Sequence, residues 1–598
     1  SVKNKAWFSE RFGWSRSLGG KAVTSFFNSG SLATEQNLNY LKDFGEHRIN
    51  AILVYEKQKN SFETLRTAST GFSIPNYNLN GLEDAVNVEP TQSDAFESSI
   101  ESFLARIQYD AFNKYLVSAS LRYDGSSRFA SGDKQWGYFP SIGLAWRMSN
   151  ETFLKDNQII SDAKLKFSFG ESGNTQIPSF QSKSAADGAG YIFNGNLLTP
   201  GASIVRLAND DLSWETTTEI DFGLTLGLFN NRITMEADYY DKETKDLLLA
   251  VPIPVTSGYQ TAFKNLGLVS NKGIEFSLNA DVVQAKDFKW NMNFNISSNK
   301  NKVLDLGGAN EFFVTSIGGG GVNNDYIIRV GESLGSIYGL AYDGVYTYED
   351  FVEFDGMTLE EATAKIKADE AALPDVGMWW SMNNYTLKDG VPINAQVNNG
   401  TYRPGMTKFK DINGDGIIND DDRHIIGNTL PKHFGGMTHN LSYKNFDLSI
   451  QSAWSYGNDV YNKTMRKGSS TAVPWRNKFD IVKNVWTPDN PSGTWTGFSG
   501  GGPSGDIASA AYDTYIEDGS YFRIANINLG YKVPKKVLNQ LGMSFLRFYV
   551  SIDNVYVWTK YTGWDPDVSV GRNQLTPGLD ADAYPRARTF RTGISARF

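Results

Sequence analysis

The stretch from Gly273 to Ser297 constrains the fold of this chain most strongly. Its apolar and polar residues alternate with a period of two on both sides of a turn at Val283–Asp287. The apolar positions are Ile274, Phe276, Leu278, Ala280, Val282, Phe288, Trp290, Met292, Phe294 and Ile296. This alternation predicts two antiparallel strands, each with one apolar and one polar face. Each run matches the roughly 9–11 residues with which a tilted strand crosses a bilayer.

Two kinds of antiparallel protein use hairpins of this type. A soluble β-sandwich buries the apolar face between sheets, and its strands usually extend over only about five or six residues. An outer-membrane barrel turns the apolar face to lipid and the polar face to a wet lumen. The composition of the 598 residues suits the barrel, because apolar residues make up 40% while aromatic residues reach 13%. No apolar run approaches the ~18 residues of a membrane helix.

The same alternation recurs along the chain. In Lys114–Asp124, Tyr115 and Tyr123 stand at the two ends of an apolar face, as two interfacial aromatic girdles require. We predict a large all-β antiparallel transmembrane barrel and count roughly sixteen strands in this chain. The other strand predictions are Gln36–Leu41, Glu46–Glu56, Ile100–Tyr109, Tyr138–Met148, Lys164–Phe169, Thr216–Leu228, Arg232–Tyr240, Ser333–Tyr346, His439–Lys444, Phe446–Tyr456, Arg523–Val533, Leu546–Asp553 and Phe590–Phe598.

The predicted connections alternate between short turns and long polar loops. Asn230-Asn231 is a short turn whose residues tolerate positive φ. A barrel with short periplasmic turns and long extracellular loops has this asymmetry, whereas compact soluble domains seldom carry many long loops. The long loops are predicted at Asn60–Asp94, Ser172–Leu212, Asn299–Arg329, Thr347–Lys432, Gly457–Asp518 and Lys560–Arg588.

The long extracellular loop at 347–432 contains a helix signal. Thr358 and Glu361 form a capping box, Glu360–Leu373 is rich in Ala, Glu and Lys, and Pro374 ends the segment. These features predict a short helix with a structural role.

The sharpest signal for chemistry lies at residues 411–422 of the same loop. A calcium loop needs oxygen ligands at positions 1, 3 and 5, a glycine at 6, a backbone carbonyl at 7, and ligands at 9 and 12. We therefore expect a structural Ca²⁺ here. Asp422 stands where an EF-hand has Glu, and the alternative is an acidic turn cluster without metal. The candidate ligands are Asp411, Asn413, Asp415, Ile417 through its carbonyl, Asn419 and Asp422, with Gly416 at the turn.

Tryptophans in the predicted loops are the second candidate site. Flat aromatic rings in wet loops stack on sugars, but they also pin loops together or pack on a partner protein. Trp475 and Trp486 belong to this set. We take Trp379, Trp380 and Trp495 as the candidate substrate-contacting residues.

No catalytic set emerges from the other residues, so we expect a protein that is not an enzyme. The G-x-G-x-x-G match at Gly500–Gly505 lacks a βαβ unit and contains Pro503, which favours a flexible loop. Glu219 and Asp221 share the polar side of a strand, where lumen-lining charge explains them better than glycosidase chemistry. The absence of cysteine excludes disulfides and thiolate metal sites. A net charge of −9 without a basic block argues against nucleic acid.

A set of short stretches carries a family resemblance. The stretches are Tyr123–Phe129, Trp136–Pro140, Trp214–Thr218, Tyr239–Lys242, Asp246–Leu249, Asn271–Phe276, Lys410–Gly427 with Ile426–Asn428, Ser455–Asp459 and Tyr584–Phe598. Together they resemble the SusC/RagA family of TonB-dependent outer-membrane transporters of Bacteroidetes. They recur in the family's order across most of the chain, which makes the match specific.

The resemblance implies a 22-stranded barrel with an N-terminal plug, a SusD-like surface lipoprotein as a lid, and uptake driven through TonB. It places the protein in the outer membrane of a Gram-negative cell. The sequence opens with Ser1 and shows no signal peptide, plug or TonB-contacting segment. We therefore expect residues 1–598 to be the C-terminal majority of the barrel. The last strand, ending in Phe598, is similar to the C-terminal signal for barrel assembly.

Three functions remain open at this point. The first expectation is active import of large nutrients, with oligosaccharide as the expected cargo and peptide as the alternative. The second is a passive, porin-like channel. The third is a secreted multi-domain β-protein that binds glycans.

Overall fold

A computed structural model describes residues 2–8, 17–72, 82–130, 132–193, 197–259, 261–316, 324–371, 385–395, 402–469, 477–495, 510–571 and 574–598. The chain divides into two units. The first comprises Ser1–Lys155, Lys164–Phe222 and Lys242–Leu268, and the second comprises Asp156–Ala163, Gly223–Asp241 and Val269–Phe598. Among the described helices, none has the length and apolar character needed to cross a bilayer.

The described elements up to Asn265 are strands, joined by turns and short 3-10 helices. They are β1 (Val2–Phe8), β2 (Lys21–Phe44), β3 (His47–Phe72), β4 (Ala85–Val88), β5 (Gln92–Ala111), β6 (Tyr115–Ser126), β7 (Trp136–Arg147), β8 (Ile160–Asn174), β9 (Ala185–Phe193), β10 (Leu197–Arg206), β11 (Glu215–Leu228), β12 (Ile233–Lys245), β13 (Leu248–Pro252) and β14 (Thr261–Asn265).

Antiparallel neighbours follow one another in the first unit. β1 pairs with β2, β2 with β3, β3 with β5, and then β5, β6, β7 and β8 pair in sequence order. The register places Tyr123 opposite both Phe103 and Tyr138, and its ring stacks on Tyr138 at 4.4 Å between centroids. This row of aromatic residues matches the girdle predicted from Tyr123.

The predicted loop at Asn60–Asp94 is wrong over much of its length. β3 continues through Asn60 to Phe72, and β5 already begins at Gln92. The apolar alternation ends at Tyr55, but cross-strand ion pairs replace it: Lys57 Nζ lies 3.5 Å from Glu101 and Lys59 Nζ 2.9 Å from Glu97. Backbone pairing, these polar contacts and the stacked rings of Phe62 and Phe96, 4.7 Å apart, sustain the strands without a continuous apolar alternation. The resulting hairpin strands, β2 and β3, are 24 and 26 residues long.

The remaining strands begin at Leu268. They are β15 (Leu268–Gln284), β16 (Phe288–Asp305), β17 (Glu311–Val314), β18 (Tyr326–Arg329), β19 (Ser336–Leu340), β20 (Tyr342–Val345), β21 (Ile393–Asn394), β22 (Thr407–Phe409), β23 (Ile417–Ile418), β24 (His424–Asn428), β25 (His433–Tyr443), β26 (Phe446–Tyr456), β27 (Asp459–Asn462), β28 (Ala511–Tyr512), β29 (Ile516–Asp518), β30 (Tyr521–Lys532), β31 (Phe545–Thr559), β32 (Leu579–Asp580) and β33 (Thr589–Arg597). The α-helices are α1 (Leu359–Ala371), α2 (Lys463–Ser469) and α3 (Lys535–Gln540).

The long strands of the second unit also pair antiparallel. β16 pairs with β25, β25 with β26, and then β26, β30, β31 and β33 pair in order. The predicted hairpin at Gly273–Ser297 is confirmed as β15 and β16. Seventeen of the described strands belong to the main antiparallel sheet and not to the small sheets of the connections. This number is close to the roughly sixteen strands predicted.

The apolar faces of these strands are exposed. Val117, Leu144, Ile274 and Phe548 are large hydrophobic side chains at the surface. The buried hydrophobic clusters instead involve mainly the connections between strands. These apolar side chains are not buried by other parts of the protein, which is the arrangement expected for strands facing lipid.

The segment Ser333–Tyr346 corrects another strand prediction. It forms β19 and β20, but β19 pairs with β18, β24 and the parallel strand β28 in a small five-stranded loop sheet that begins at β17. Its residues Ser336–Leu340 are buried at every position, so they lack the alternation of a half-exposed strand. The helix prediction in the same connection is confirmed: the Thr358 backbone N–H donates to Glu361 at 2.8 Å, capping α1.

Candidate functional site

The connections of the second unit fold around an aromatic core of their own. Phe409 and Tyr512 lie 5.2 Å apart between ring centroids, and Tyr512 and Tyr515 lie 4.7 Å apart. Edge-on and tilted rings at these distances attract one another in addition to the effect of burial. These contacts pack described parts of the predicted loops against one another. The buried aromatic members are Tyr326, Phe409, Tyr461, Trp495, Tyr512 and Tyr515.

A buried ion pair fixes one side of this core. Lys463, the first residue of α2, places Nζ 3.1 Å from Oδ2 of Asp325, and both side chains are almost fully buried. Asp325 also accepts a hydrogen bond of 2.7 Å from the Ser316 backbone N–H. Burial lowers the pKa of Lys463, although the neighbouring Asp325 acts in the opposite direction. Because an unpaired buried charge is costly, the pair ties Asp325 and Ser316 to α2.

The loop at 411–422 adopts the tight turn that its glycines predict. Gly414 and Gly416 have φ of +76° and +83°, a region that other residues adopt only with strain. Their backbone N–H groups donate to the carboxylate of Asp411 at 2.7 and 2.8 Å. Asp415 accepts from the Ile417 N–H at 2.8 Å. Position 1 of the predicted calcium loop therefore organises the turn.

Asp422, at position 12, closes the loop from the inside. It is fully buried and accepts hydrogen bonds from the backbone N–H groups of Ile412 and Asn419 at 2.7 and 2.8 Å. The donor set and the glycine turn suit a hard cation. In this conformation the carboxylates bind the backbone, and the described residues include no group of three or more His, Asp or Glu arranged around a metal. Calcium in this loop stays a prediction.

Of the loop tryptophans considered as sugar contacts, two are buried in the structure and three lie outside the described residues. Trp495 is 4% exposed within the aromatic core, and its indole N–H donates to the Ser469 carbonyl at 3.1 Å. The ring packs in the core in this structure, and a substrate contact through Trp495 stays a prediction. Trp486 is buried in a second cluster. Trp379, Trp380 and Trp475 lie outside the described residues, as does the glycine-rich stretch Gly500–Gly505.

A cavity of about 400 Å³ lies beside the ends of β25, β26 and β30. Ser455 donates a hydrogen bond of 2.7 Å to Asn458, and Arg586 lies 2.8 Å from Asp567, which compensates its charge. The three aromatic rings of Phe434, Trp454 and Tyr521 and several polar groups around a site of this size suit an uncharged polar ligand. The lining includes Phe434, Ser455, Asn458, Tyr521 and Asp567.

One carboxyl beside this cavity has an altered acidity. Asp459 accepts a hydrogen bond of 2.7 Å from the Asn428 backbone N–H and faces Asp518 across the β27–β29 pair. Burial raises the pKa of Asp459, and the charge of Asp518 raises it further, while the bond from Asn428 opposes both. The connections of the second unit, whose core we call the loop core, therefore contain a carboxyl group that ionises less readily than that of an ordinary aspartate.

The described strands are long and antiparallel, their apolar faces are exposed, and folded connections join them. These features define the class of outer-membrane β-barrel proteins. Sequence comparison then gives the family: residues 4–555 match the model for the TonB dependent receptor-like β-barrel. This chain belongs to that family. The family consists of outer-membrane receptors and transporters and not of enzymes, so the secreted alternative is wrong.

Individual relatives agree with this family. TonB-dependent receptor P3 of Formosa agariphila is 32% identical over 594 residues, which cover 97% of this chain and 54% of the relative. TonB-dependent receptor SusC of Bacteroides thetaiotaomicron is 29% identical over 574 residues, covering 94% and 49%. The chain thus spans about half the length of these curated relatives. The resemblance to SusC/RagA proteins is confirmed.

A solved structure supports the fold. The structure of the RagAB peptide transporter superposes with a TM-score of 0.76 at 22% identity, covering 97% of this chain and 56% of that one. At this identity the likeness concerns the fold alone.

Sequence reasoning missed the buried pair Lys463–Asp325, the carboxyl of Asp459 and the cavity. Lys463 and Asp325 are 138 positions apart, and no local pattern links them. For Asp459 a signal existed, because Ser455–Asp459 is one of the stretches that carry the family resemblance. Ser455 lies at the end of β26 and Asn458 follows that strand, and both residues line the cavity.

Proposed function

We propose that the whole protein imports large nutrients across the outer membrane in a TonB-dependent step. The observation that carries the proposal is the match of residues 4–555 to the receptor barrel family. Strands with exposed apolar faces suit insertion in lipid, and the ordered connections suit recognition of a ligand before passage. The chain makes or breaks no bond in this mechanism; it binds the cargo and then lets it pass.

Uptake measurements in cells test this proposal. Cells that carry the full-length protein should accumulate a labelled cargo, and a protonophore should abolish the accumulation, because TonB coupling draws on the inner-membrane proton gradient. Purified protein in liposomes should admit little solute in a swelling assay. Rapid swelling together with protonophore-resistant uptake would favour the porin-like channel.

We also propose that a SusD-like surface lipoprotein is the partner. The support is the likeness to SusC and to the RagAB transporter. Purification of the full-length protein in mild detergent, with a SusD-like lipoprotein of the same organism co-expressed, should yield both chains in a fixed ratio. Recovery of the receptor alone would contradict the partnership.

Oligosaccharide is our proposed cargo, with peptide as the alternative. The cavity supports it, because Phe434 and Tyr521 offer aromatic surface beside the amide of Asn458 and the hydroxyl of Ser455. Tyr521→Ala should weaken oligosaccharide binding by roughly tenfold, which corresponds to about 1.4 kcal/mol. Phe522→Ala is the matched control, since Phe522 is adjacent on β30 and exposed outside the cavity. Calorimetric titration with glycans and with peptides separates the two cargoes.

We propose in addition that the loop at 411–422 binds Ca²⁺ in a structural role. The ligand spacing and the positive φ of Gly416 support this. The candidate ligands are those named above, Asp411, Asn413, Asp415, the Ile417 carbonyl, Asn419 and Asp422. The ion would fasten the turn from which Ile417 and β23 continue.

A further inference from the structure

Uncharged hydrogen-bonding side chains form two rows across the polar face of β16, β25, β26 and β30. Residues directly opposite one another in antiparallel strands share a face, and so do alternate residues of one strand. The strand registers therefore place both rows on the same face. We call these eight side chains the amide belt. Its first row is Asn293, Thr438, Gln451 and Asn526, and its second row is Asn291, Asn440, Ser449 and Asn528.

The amide belt lies between two cavities of the second unit. The cavity of about 400 Å³ includes Ser455 and Ala453 of β26 in its lining, and Gln451 of the first row is the next residue on the same face. Ser455 and Gln451 are about 13 Å apart along the strand. A second cavity, of about 290 Å³, is lined by the second row through Asn291, Asn440 and Ser449. The belt thus continues from one cavity to the other on one face of the sheet.

Small side chains leave room between the first cavity and the belt. Gly436 of β25 lies opposite Ala453 of β26, and Asn295 of β16 lies opposite Gly436. Arg523 of β30 completes this row, and its guanidinium group is bound to Asp565. A flexible polar chain that leaves the cavity therefore meets no large side chain at Gly436 or Ala453 before it reaches the belt.

The amide belt itself carries no formal charge. Asp553 of β31, opposite Asn526, pairs with Arg591. Asp447 of β26, two residues before Ser449, pairs with Arg547. Exposed charges of both signs border the belt, Glu275 on β15 and Lys289 on β16. A cargo on the belt itself would contact amides and hydroxyls.

Hydrogen bonds orient the belt at its edges and leave its middle open. Asn293 donates to the side-chain oxygen of Asn291 at 3.0 Å, and Asn526 donates to the Ser551 hydroxyl at 2.9 Å. Asn440 and Gln451, on the two middle strands, are exposed. An amide side chain offers donors and an acceptor. Each hydrogen bond to a cargo replaces one to water and contributes modestly, and a series of weak contacts lets a cargo move on.

We infer that the amide belt is the surface along which the cargo passes beyond the cavity, and that it favours uncharged, hydroxyl-rich chains over charged ones. Sugar hydroxyls donate and accept, as the amides do. A charged group on the belt would exchange its hydration for a wall without a counter-charge. The inference rests on the proposed function, which supplies the transport of oligosaccharide. It adds the path and its charge selectivity.

Uptake by cells that carry the full-length receptor tests the inference. The probes are labelled neutral hexasaccharides of glucose and of mannose, each paired with a counterpart in which one primary alcohol is oxidised to a carboxylate. The wild type should take up the neutral member of a pair faster. Asn440→Lys/Gln451→Lys should raise the ratio of anionic to neutral uptake on the order of threefold, and Asn440→Asp/Gln451→Glu should lower it by a similar factor.

The matched controls make the same charge changes outside the belt. Asn539→Lys/Gln540→Lys and Asn539→Asp/Gln540→Glu alter exposed residues of α3 and should leave the uptake ratio as in the wild type. Heat-modifiable migration in SDS gels shows that each variant is folded.

The outcomes separate the two levels of the proposal. Opposite shifts of the uptake ratio in the two belt variants support the inference, because a purely structural role of the belt would not depend on the charge of the probe. Folded wild-type receptor that takes up none of the probes overturns the oligosaccharide cargo and the inference together. Neutral and anionic uptake that change by the same factor in both belt variants would show that the belt holds another segment of the receptor, and would overturn only the inference. Faster uptake of the anionic probes by the wild type would also overturn it.

Discussion

Arg523 of β30 and Asp565, in the segment after β31, form a buried two-point ion pair. Nη1 of Arg523 lies 3.0 Å from Oδ2 of Asp565, and Nη2 donates to Oδ1 of the same carboxylate. Nε of Arg586 lies 3.4 Å from Oδ2, and Nη1 of Arg523 also donates to Asn554 at 2.9 Å. The pair fastens the segment bearing Asp567, a wall of the cavity, to the sheet.

Arg523→Met should release this segment, because Asp565 would remain largely buried with one cation fewer. Removing one partner of a buried pair costs about 3–5 kcal/mol, and the contact with Arg586 places the expected value at the lower end. Limited proteolysis between residues 560 and 588 should accelerate. Arg48→Met, which removes an exposed pair with Asp43, is the control and should leave the digestion unchanged. Equal digestion of both variants would contradict the fastening role.

Gly273 of β15 leaves room for the ring of Tyr240. A Cβ at position 273 would collide with the Tyr240 hydroxyl and approach the Ser298 carbonyl. Gly273→Val should therefore lower the yield of folded protein, since overpacking of this kind costs about 1–3 kcal/mol. Gly143→Val is the control, because the nearest atom to a Cβ there is 4.0 Å away. Folded fractions from heat-modifiable gel migration give the comparison; equal yields would show that Tyr240 moves aside freely.

Asp459 should make the stability of the loop core depend on pH. Burial raises the pKa of Asp459 above the ordinary 3.8. At a pH between 3.8 and the raised pKa, Asp459 therefore holds a proton in the folded protein and releases it in the unfolded protein. The loop core is then most stable below pH 3.8 as far as this group is concerned, and it loses that stability as the pH rises through the raised value. Asp459→Asn, which does not titrate, should lack this decline.

Tryptophan fluorescence melting between pH 4 and 7 measures the effect as the difference between wild type and Asp459→Asn. Asp582→Asn, at an exposed aspartate, should keep the wild-type decline. A constant difference across the pH range would show that Asp459 titrates normally in the folded protein.

Chelation should lower the melting temperature if the 411–422 loop holds calcium. Ligand at 100 times its Kd stabilises the bound state by about 2.7 kcal/mol. The double variant Asp411→Asn/Asp415→Asn should melt at the same temperature with and without chelator. Asp421→Asn removes an exposed charge of the same loop outside the ligand set and should keep the wild-type response. A chelator effect that persists in the double variant would place the ion elsewhere.

Local patterns predicted the elements that local physics determines. The β15–β16 hairpin follows from the alternation between Ile274 and Ile296, and the start of α1 follows from Thr358 and Glu361. The turn at Gly414–Gly416 also follows from its own residues. Each of these depends on neighbours within a few positions, so the sequence displays the whole cause.

Features held together by distant residues were not predictable in this way. β3 continues past Asn60 because its backbone pairs with β2 on one side and with β5, more than twenty positions away, on the other. Ser336–Leu340 looks like a membrane strand until its partners in the loop sheet are known. Trp495 has an aromatic face, but its burial depends on Tyr342, which approaches from another connection, and on Tyr515, twenty positions further along its own connection.

The length of β3 has a consequence for the living cell. At about 3.3 Å per residue its 26 residues extend over roughly 85 Å, far beyond the ~25 Å apolar band of an outer-membrane strand. We therefore expect the part beyond Tyr55 to extend out of the lipid on the cell surface. A cysteine placed at Ser61, in a chain without native thiols, should react with impermeant maleimides on intact cells.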